Sequence, residues 1–143
     1  MRLVCVDASI ALKWVLPEPD HEVALGLLRN WLAEDRRLVA PLPFVYEVDS
    51  VIRSHAHRGT ISLDAANAAF ETVGKSPVRI MHNTEIRALA WQLAEQLNLS
   101  TLYDAAYLAL TQHVDGELWT ADRRLYNQVS GAIPTIRIRL LRA

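Results

Sequence analysis

The chain has little of what several common chemistries require. Its one cysteine, Cys5, has no partner for an internal disulfide, and within an apolar run it reads as a small hydrophobe rather than a nucleophile. The five glycines stand isolated and build neither a phosphate-cradling loop nor a dinucleotide fingerprint. No segment approaches the roughly 18 to 20 uninterrupted apolar residues of a membrane span, so no membrane attachment is expected. The chain reaches Asp7 too soon to hold the apolar core of an export signal, which makes a cytoplasmic protein the simplest expectation. A net charge of −1 provides no global basic field of the kind that announces nucleic-acid binding. Lysine is scarce: of the fifteen cationic residues only Lys13 and Lys75 are not arginine. Arginine is the better planar partner for phosphate or carboxylate, although genomic base bias yields the same composition. The five histidines offer no ligand pattern. His55 and His57 lie two apart, the wrong spacing for one helical face, and His21, His82 and His113 are scattered.

What is present is enough apolar sequence, 51% of 143 residues, to bury the core of one ordinary domain, expected to span 1–143. Leu3 to Val6 is an apolar run without polar alternation, the pattern of a strand covered on both faces. Ser9 to Leu16 reads as a short helix ended by Pro17, and Asp20 as the cap of a second helix reaching about Ala33. Arg37 to Ala40 is a strand, and Pro43 opens a helix extending to about His57. Ser62 or Asp64 starts another, running to Gly74. Val78 to Met81 is a strand, Thr84 to Leu97 a helix, and Thr101 caps an apolar helix over Leu102 to His113. Glu117 to Trp119 is a strand, Asp122 to Val129 a helix and Thr135 to Ile138 the last strand. Strands alternating with helices predict an α/β fold, a parallel sheet with right-handed crossovers and helices on both faces.

Four acids stand out from this frame. Asp7 ends the first strand and Asp122 the fourth, so both are expected at the carboxyl edge of the sheet, where open α/β folds gather ligands. Glu47 shares a helix face with Phe44 and Val51, the side that packs inward, where an acid seldom goes without a partner. Asp104 starts a markedly apolar helix. Three of them have a plain alternative in helix capping: Asp7 and Asp122 as caps, and Thr101-x-x-Asp104 as a capping box. Asp49 points elsewhere and has Arg53 one turn ahead, an ordinary surface ion pair.

Converging carboxylates at about 4 Å would repel by roughly 4 kcal/mol per pair at an effective dielectric near 20. No Lys or Arg is embedded in the motifs at Asp7, Glu47 or Asp104, although Arg123 and Arg124 flank Asp122. A hard divalent cation, Mg²⁺ or Mn²⁺, takes oxygen ligands and suits three or four acids on a half-open site. Such a site can activate water against a phosphodiester, which is metal-dependent nuclease chemistry.

Val6-Asp7-Ala8-Ser9 with Leu12-Lys13-Trp14, Pro43 to Glu47, Tyr103-Asp104-Ala105-Ala106-Tyr107-Leu108-Ala109, and Thr120-Ala121-Asp122-Arg123-Arg124-Leu125 together resemble the PIN-domain ribonucleases, specifically the VapC-type toxins of bacterial toxin–antitoxin pairs. The resemblance covers essentially the whole chain, in order. It implies a three-layer α/β/α domain with a five-stranded parallel sheet and a Mg²⁺- or Mn²⁺-dependent endoribonuclease acting on RNA. By position, Asp7, Glu47, Asp104 and Asp122 would be the acidic quartet, with Asp7 and Asp104 the surest metal ligands and Thr120 and Ser9 supporting them. It further implies a homodimer held inactive by a small antitoxin whose tail lies across the acidic site. Asp49 departs from the family pattern, which places a neutral residue there, and so raises the prospect of a fifth acid. Arg123, Arg124 and Lys13 are the candidates for RNA phosphate contacts, by closeness to the acidic motifs.

Other acidic α/β proteins fit less well. A response-regulator receiver needs a phospho-accepting Asp after the third strand and a Lys after the last, where this chain has His82-Asn83 and Arg139-Leu140. A haloacid-dehalogenase phosphatase needs an acid where Ser9 stands. The remaining alternative is a catalytically idle PIN fold used as a binding scaffold.

Overall fold

The computed structural model describes residues 2–142; Met1 and Ala143, the ends of the expected 1–143 unit, lie outside the described residues. Five strands form one fully parallel sheet: β1 (Val4–Val6), β2 (Leu38–Ala40), β3 (Val78–Ile80), β4 (Glu117–Thr120) and β5 (Arg137–Leu140), in the order β3-β2-β1-β4-β5. Seven helices connect them: α1 (Ala8–Val15), α2 (His21–Ala33), α3 (Pro43–Arg58), α4 (Leu63–Gly74), α5 (Thr84–Gln96), α6 (Tyr103–His113) and α7 (Arg123–Ala132). Element types and order agree with the sequence expectation throughout.

β1 is central, and all three of its residues are fully buried, as a strand covered by helices on both faces must be. Sequence-consecutive strands run outward from β1 on one side and from β4 on the other. The order therefore reverses between β1 and β4, and the crevice beyond their carboxyl ends is where such sheets bind ligands. The register Val6↔Trp119 brings the β1–α1 and β4–α7 junctions side by side, and the Asp7 amide extends the ladder to Trp119 O at 3.0 Å. α6 buries Tyr107, Leu108, Ala109 and Leu110 completely, as a helix packed deep against the sheet must.

At the opposite edge of the sheet, Glu117 is buried and paired with Arg36 at 3.0 Å, while Trp119 Nε1 donates to it at 3.0 Å. Burial alone would raise this carboxyl, but Trp119, Arg36 and Arg139 together hold it below its usual range. Just before it, Gly116 lies against β1: a Cβ there would stand 2.6 Å from Leu3 O. Gly116→Ala is therefore expected to force β4 away from β1 and cost about 1–3 kcal/mol, read as a lower denaturant midpoint with an unchanged slope. An unchanged midpoint would show that this edge has slack.

Several local expectations are corrected. Asp20 adopts a left-handed conformation (φ 66°) and makes no side-chain cap, so α2 starts without one. α6 starts at Tyr103, and neither a Thr101 cap nor a Thr101–Asp104 capping box forms. The last strand lies two residues later than expected, at Arg137–Leu140, because pairing of Glu117 with Arg137 sets its register. Asp49 makes no ion pair with Arg53 within 4 Å; it lies against α4 beside Phe70, not among the other acids.

Candidate functional site

Asp7 follows the last residue of β1 and occupies the capping position of α1, yet its side chain caps nothing. Its Oδ2 instead accepts from Ser9 Oγ at 2.6 Å and from Thr120 Oγ1 at 2.8 Å. Each hydroxyl also accepts a backbone amide: Ser9 Oγ from Ala121 across the junction at 2.9 Å, and Thr120 Oγ1 from Asp122 within its own turn at 3.0 Å. One carboxylate oxygen thus staples the β1–α1 turn to the β4–α7 turn, and Oδ1 takes part in none of these bonds. Ser9, expected at the helix start, lies inside α1 and serves Asp7 rather than the helix end.

The other three acids come from three different elements. Asp104 lies in the first turn of α6, Glu47 on the second turn of α3, and Asp122 at the start of α7, where its Oδ1 caps Leu125 N at 3.2 Å. The capping alternative therefore holds for Asp122, in addition to any other role, and fails for Asp7 and Asp104.

The electrostatics show that the four share one neighbourhood. Burial lifts the Asp7 carboxyl above the usual range, the Ser9 and Thr120 hydroxyls oppose the rise, and the charges of Asp104 and Asp122 add to it. Glu47 is pushed up to about 7, first by burial and then by the Asp7 charge, with Tyr107 opposing and Asp104 adding. No Lys or Arg forms an ion pair with Asp7 or Glu47 among the described residues. Among the described residues, the cation paired with acids of the site is Arg124, whose Nη2 lies 3.4 Å from Asp104 Oδ2 and 3.6 Å from Asp122 Oδ2.

Among the described residues, no group of three or more His, Cys, Asp or Glu side chains is placed to hold a metal ion. Two of the four acids, Asp104 and Asp122, share Arg124 as their ion-pair partner. The donor chemistry nevertheless fits a hard divalent cation: every donor is a carboxylate oxygen, two of the acids resist ionisation where they stand, and Glu47 Oε1 is buried with no hydrogen-bond partner.

The expected phosphate contacts diverge. Arg123 is exposed and forms no ion pair among the described residues, while Arg124 is exposed but engaged with the acids. Lys13 is turned into the loop after α1, donating to Pro19 O at 2.8 Å and pairing with Glu18 at 3.6 Å, so its ammonium is not presented at the acidic edge. Three histidines have partners other than the acids: His55 meets Thr60, His113 meets Asn83 and His21 meets the Lys13 carbonyl.

Sequence reasoning missed Tyr107. It reads as one more apolar residue of α6, but it is fully buried and its hydroxyl has no hydrogen-bond partner. Burial first, then the charges of Asp7, Glu47 and Cys5, drive its titration upward, which locates the phenol beneath the acids. The signal was its i+3 spacing from Asp104, which puts both on one helix face.

Comparison with known proteins accords with this arrangement. The PIN domain family profile matches residues 4–130. Ribonuclease VapC3 of Pyrobaculum aerophilum is 32% identical over 127 residues, covering 87% of this chain and 92% of that protein. Among solved structures, FitAcB from Neisseria gonorrhoeae superposes with a TM-score of 0.68 at 12% identity, covering 95% of this chain and 96% of its own. A toxin–antitoxin complex from Klebsiella pneumoniae gives 0.66 at 18% identity, with 93% and 94% covered. These two similarities concern the fold. The family match extends from β1 into α7 and takes in all four acids, the relative is nearly coextensive with the chain, and the protein therefore belongs to the PIN domain family.

Proposed function

We propose that this protein is a Mg²⁺- or Mn²⁺-dependent endoribonuclease and the toxin component of a toxin–antitoxin pair, with residues 1–143 as one catalytic unit working in the cytoplasm. The observation that carries the reading is Asp7: a buried carboxylate at the sheet's reversal point, held by two hydroxyls and sharing its field with three acids. Its supports are the family, a relative named as a ribonuclease and a structural neighbour that is a toxin–antitoxin complex.

In this reading Asp7, Asp104, Asp122 and Glu47 hold the ion. When bound, such an ion supplies Lewis acidity that activates water and neutralises charge on the departing oxygen. Ser9 and Thr120 fix the orientation of Asp7 through its Oδ2. Glu47, pushed up to about 7 by burial and the Asp7 charge when no cation faces it, would release its proton on binding one. Arg123 and Arg124 contact RNA phosphates. Arg124 must leave Asp104 and Asp122 to do so, which makes it a competitor of the ion as well as a ligand of the substrate.

Arg124→Ala is therefore expected to move two affinities in opposite directions. Mn²⁺ binding should tighten, by up to about fivefold because an exposed pair is worth at most ~1 kcal/mol. RNA binding should weaken, with the salt slope reduced by about one. Calorimetry with Mn²⁺ and RNA titrations at several salt concentrations read the two effects; unchanged RNA affinity and slope would remove Arg124 from the substrate contacts.

Two kinds of partner follow. A small antitoxin would cover the acidic crevice. A second copy would cover the apolar groove lined by Pro41, Leu42, Ile86, Leu102 and Tyr103, which opens next to Asp104 and leaves Leu42, Leu102 and Tyr103 exposed. The deciding experiment incubates total RNA with the purified protein and Mg²⁺ or Mn²⁺, wild type beside Asp7→Asn. Metal-dependent cleavage by the wild type alone is expected. Equal background activity in both would leave the fold as a binding scaffold.

A further inference from the structure

Two buried polar atoms in the described structure have no hydrogen-bond partner, Glu47 Oε1 and Tyr107 Oη. They belong to the same corner. Tyr107 lies one helical turn beyond Asp104 on α6, its hydroxyl faces the Ala8 amide at the open end of α1, and it is close enough to Glu47 for each to perturb the other. One is a donor and acceptor, the other an acceptor. A buried hydroxyl left unpaired costs about 1–3 kcal/mol, so a native fold keeps one where another state of the site satisfies it.

We propose that Tyr107 is a positioning residue for the metal site: its hydroxyl donates to Glu47 Oε1 when the cation is bound, leaving the other carboxylate oxygen to face the ion. In this structure Glu47 comes close enough to the Tyr107 hydroxyl to be lowered by it, yet stops short of a full hydrogen bond. It is exposed along part of its length, lies on a different helix from the other acids and is repelled by Asp7. A cation among the acids reverses that repulsion and draws Glu47 inward, over the phenol. The hydrogen bond then fixes which oxygen of Glu47 turns to the ion, as outer hydrogen bonds do for carboxylate ligands in general. The inference rests on the divalent-metal reading above and deepens it.

The test is Mn²⁺ binding by calorimetry, together with thermal melts of the metal-free protein, for wild type, Tyr107→Phe, Glu47→Gln and the double variant. Tyr107→Phe keeps the ring and removes only an unpaired buried hydroxyl, so its metal-free melting temperature should equal or exceed that of the wild type. Its Mn²⁺ affinity should fall about tenfold. In the Glu47→Gln background the same change should cost nothing further, because the acceptor it served is no longer a ligand. Wild-type Mn²⁺ affinity in Tyr107→Phe, or an equal loss in both backgrounds, overturns the proposal while the metal reading stands. A lowered metal-free melting temperature with unchanged affinity shows a packing role and also overturns it. Absence of Mn²⁺ binding by the wild type overturns both.

Discussion

Asp7→Asn is expected to abolish RNA cleavage while raising the melting temperature of the metal-free protein. The two effects have one origin. Asp7 is buried, its charge is opposed by desolvation and by Asp104 and Asp122, and no cation is paired with it. Asn is nearly the same shape, and its amide oxygen can accept from Ser9 and Thr120 as Oδ2 does, so the staple between β1–α1 and β4–α7 survives. The charge does not survive. Removing it relieves the repulsion and should raise the melting temperature by ~3 °C, the shift that about 1 kcal/mol brings in a chain of this size. Under the proposed function the same removal takes away the best-held ligand of the ion, and several kcal/mol of transition-state stabilisation correspond to a loss of about a thousandfold. Melts in EDTA and cleavage assays on one preparation check both. Loss of activity with a lower melting temperature would assign Asp7 a structural task, and retained activity would remove it from the site.

The second large effect couples metal to pH. Asp7 and Glu47 both titrate above their unfolded values in the metal-free fold, Glu47 at about 7 against 4.5. An acid raised in the folded state contributes stability that is complete below its unfolded value and is lost as pH rises through the folded one. The metal-free protein should therefore melt at a higher temperature at pH 5 than at pH 8. Solvent around half-exposed Glu47 reduces its share. A divalent cation binds the ionised acids and must displace protons at low pH, so Mn²⁺ should raise the melting temperature by several degrees at pH 8 and by much less at pH 5. Equal increments at the two pH values would mean that the cation binds away from these acids.

Much of this was legible in the linear pattern. Val4-Cys5-Val6, apolar on both faces and ending on a carboxylate, identified the central strand and the acid at its edge. Alternation of short apolar runs with helical periodicity was sufficient for element order, and hence for a parallel sheet, because parallel strands require crossovers. Helix starts were less legible. Asp20 and Thr101 are good capping residues in isolation, but the chain enters α2 through a left-handed turn and α6 from Leu102, so their side chains cap nothing. Arg137–Leu140 was displaced by two residues because an edge strand takes its register from its neighbour.

The sequence by itself determined which acids exist and which edge of the sheet they approach, since strand ends and helix starts are local properties. It also established that no Lys or Arg is embedded in the sequence motifs at Asp7, Glu47 or Asp104. Only the tertiary structure decided what each acid touches. It turned Ser9 from a helix start into a hydrogen-bond donor to Asp7, drew Arg124 between Asp104 and Asp122, turned Lys13 away and set the Tyr107 hydroxyl beneath Glu47. Those outcomes depend on contacts between residues up to 113 positions apart, as for Asp7 and Thr120. The Ser9–Asp7 and Lys13–Pro19 bonds are local in the chain, but no short window of sequence contains the Asp7–Thr120 or Arg124–Asp104 contacts, which follow from how far each helix slides along the sheet before its apolar face is buried.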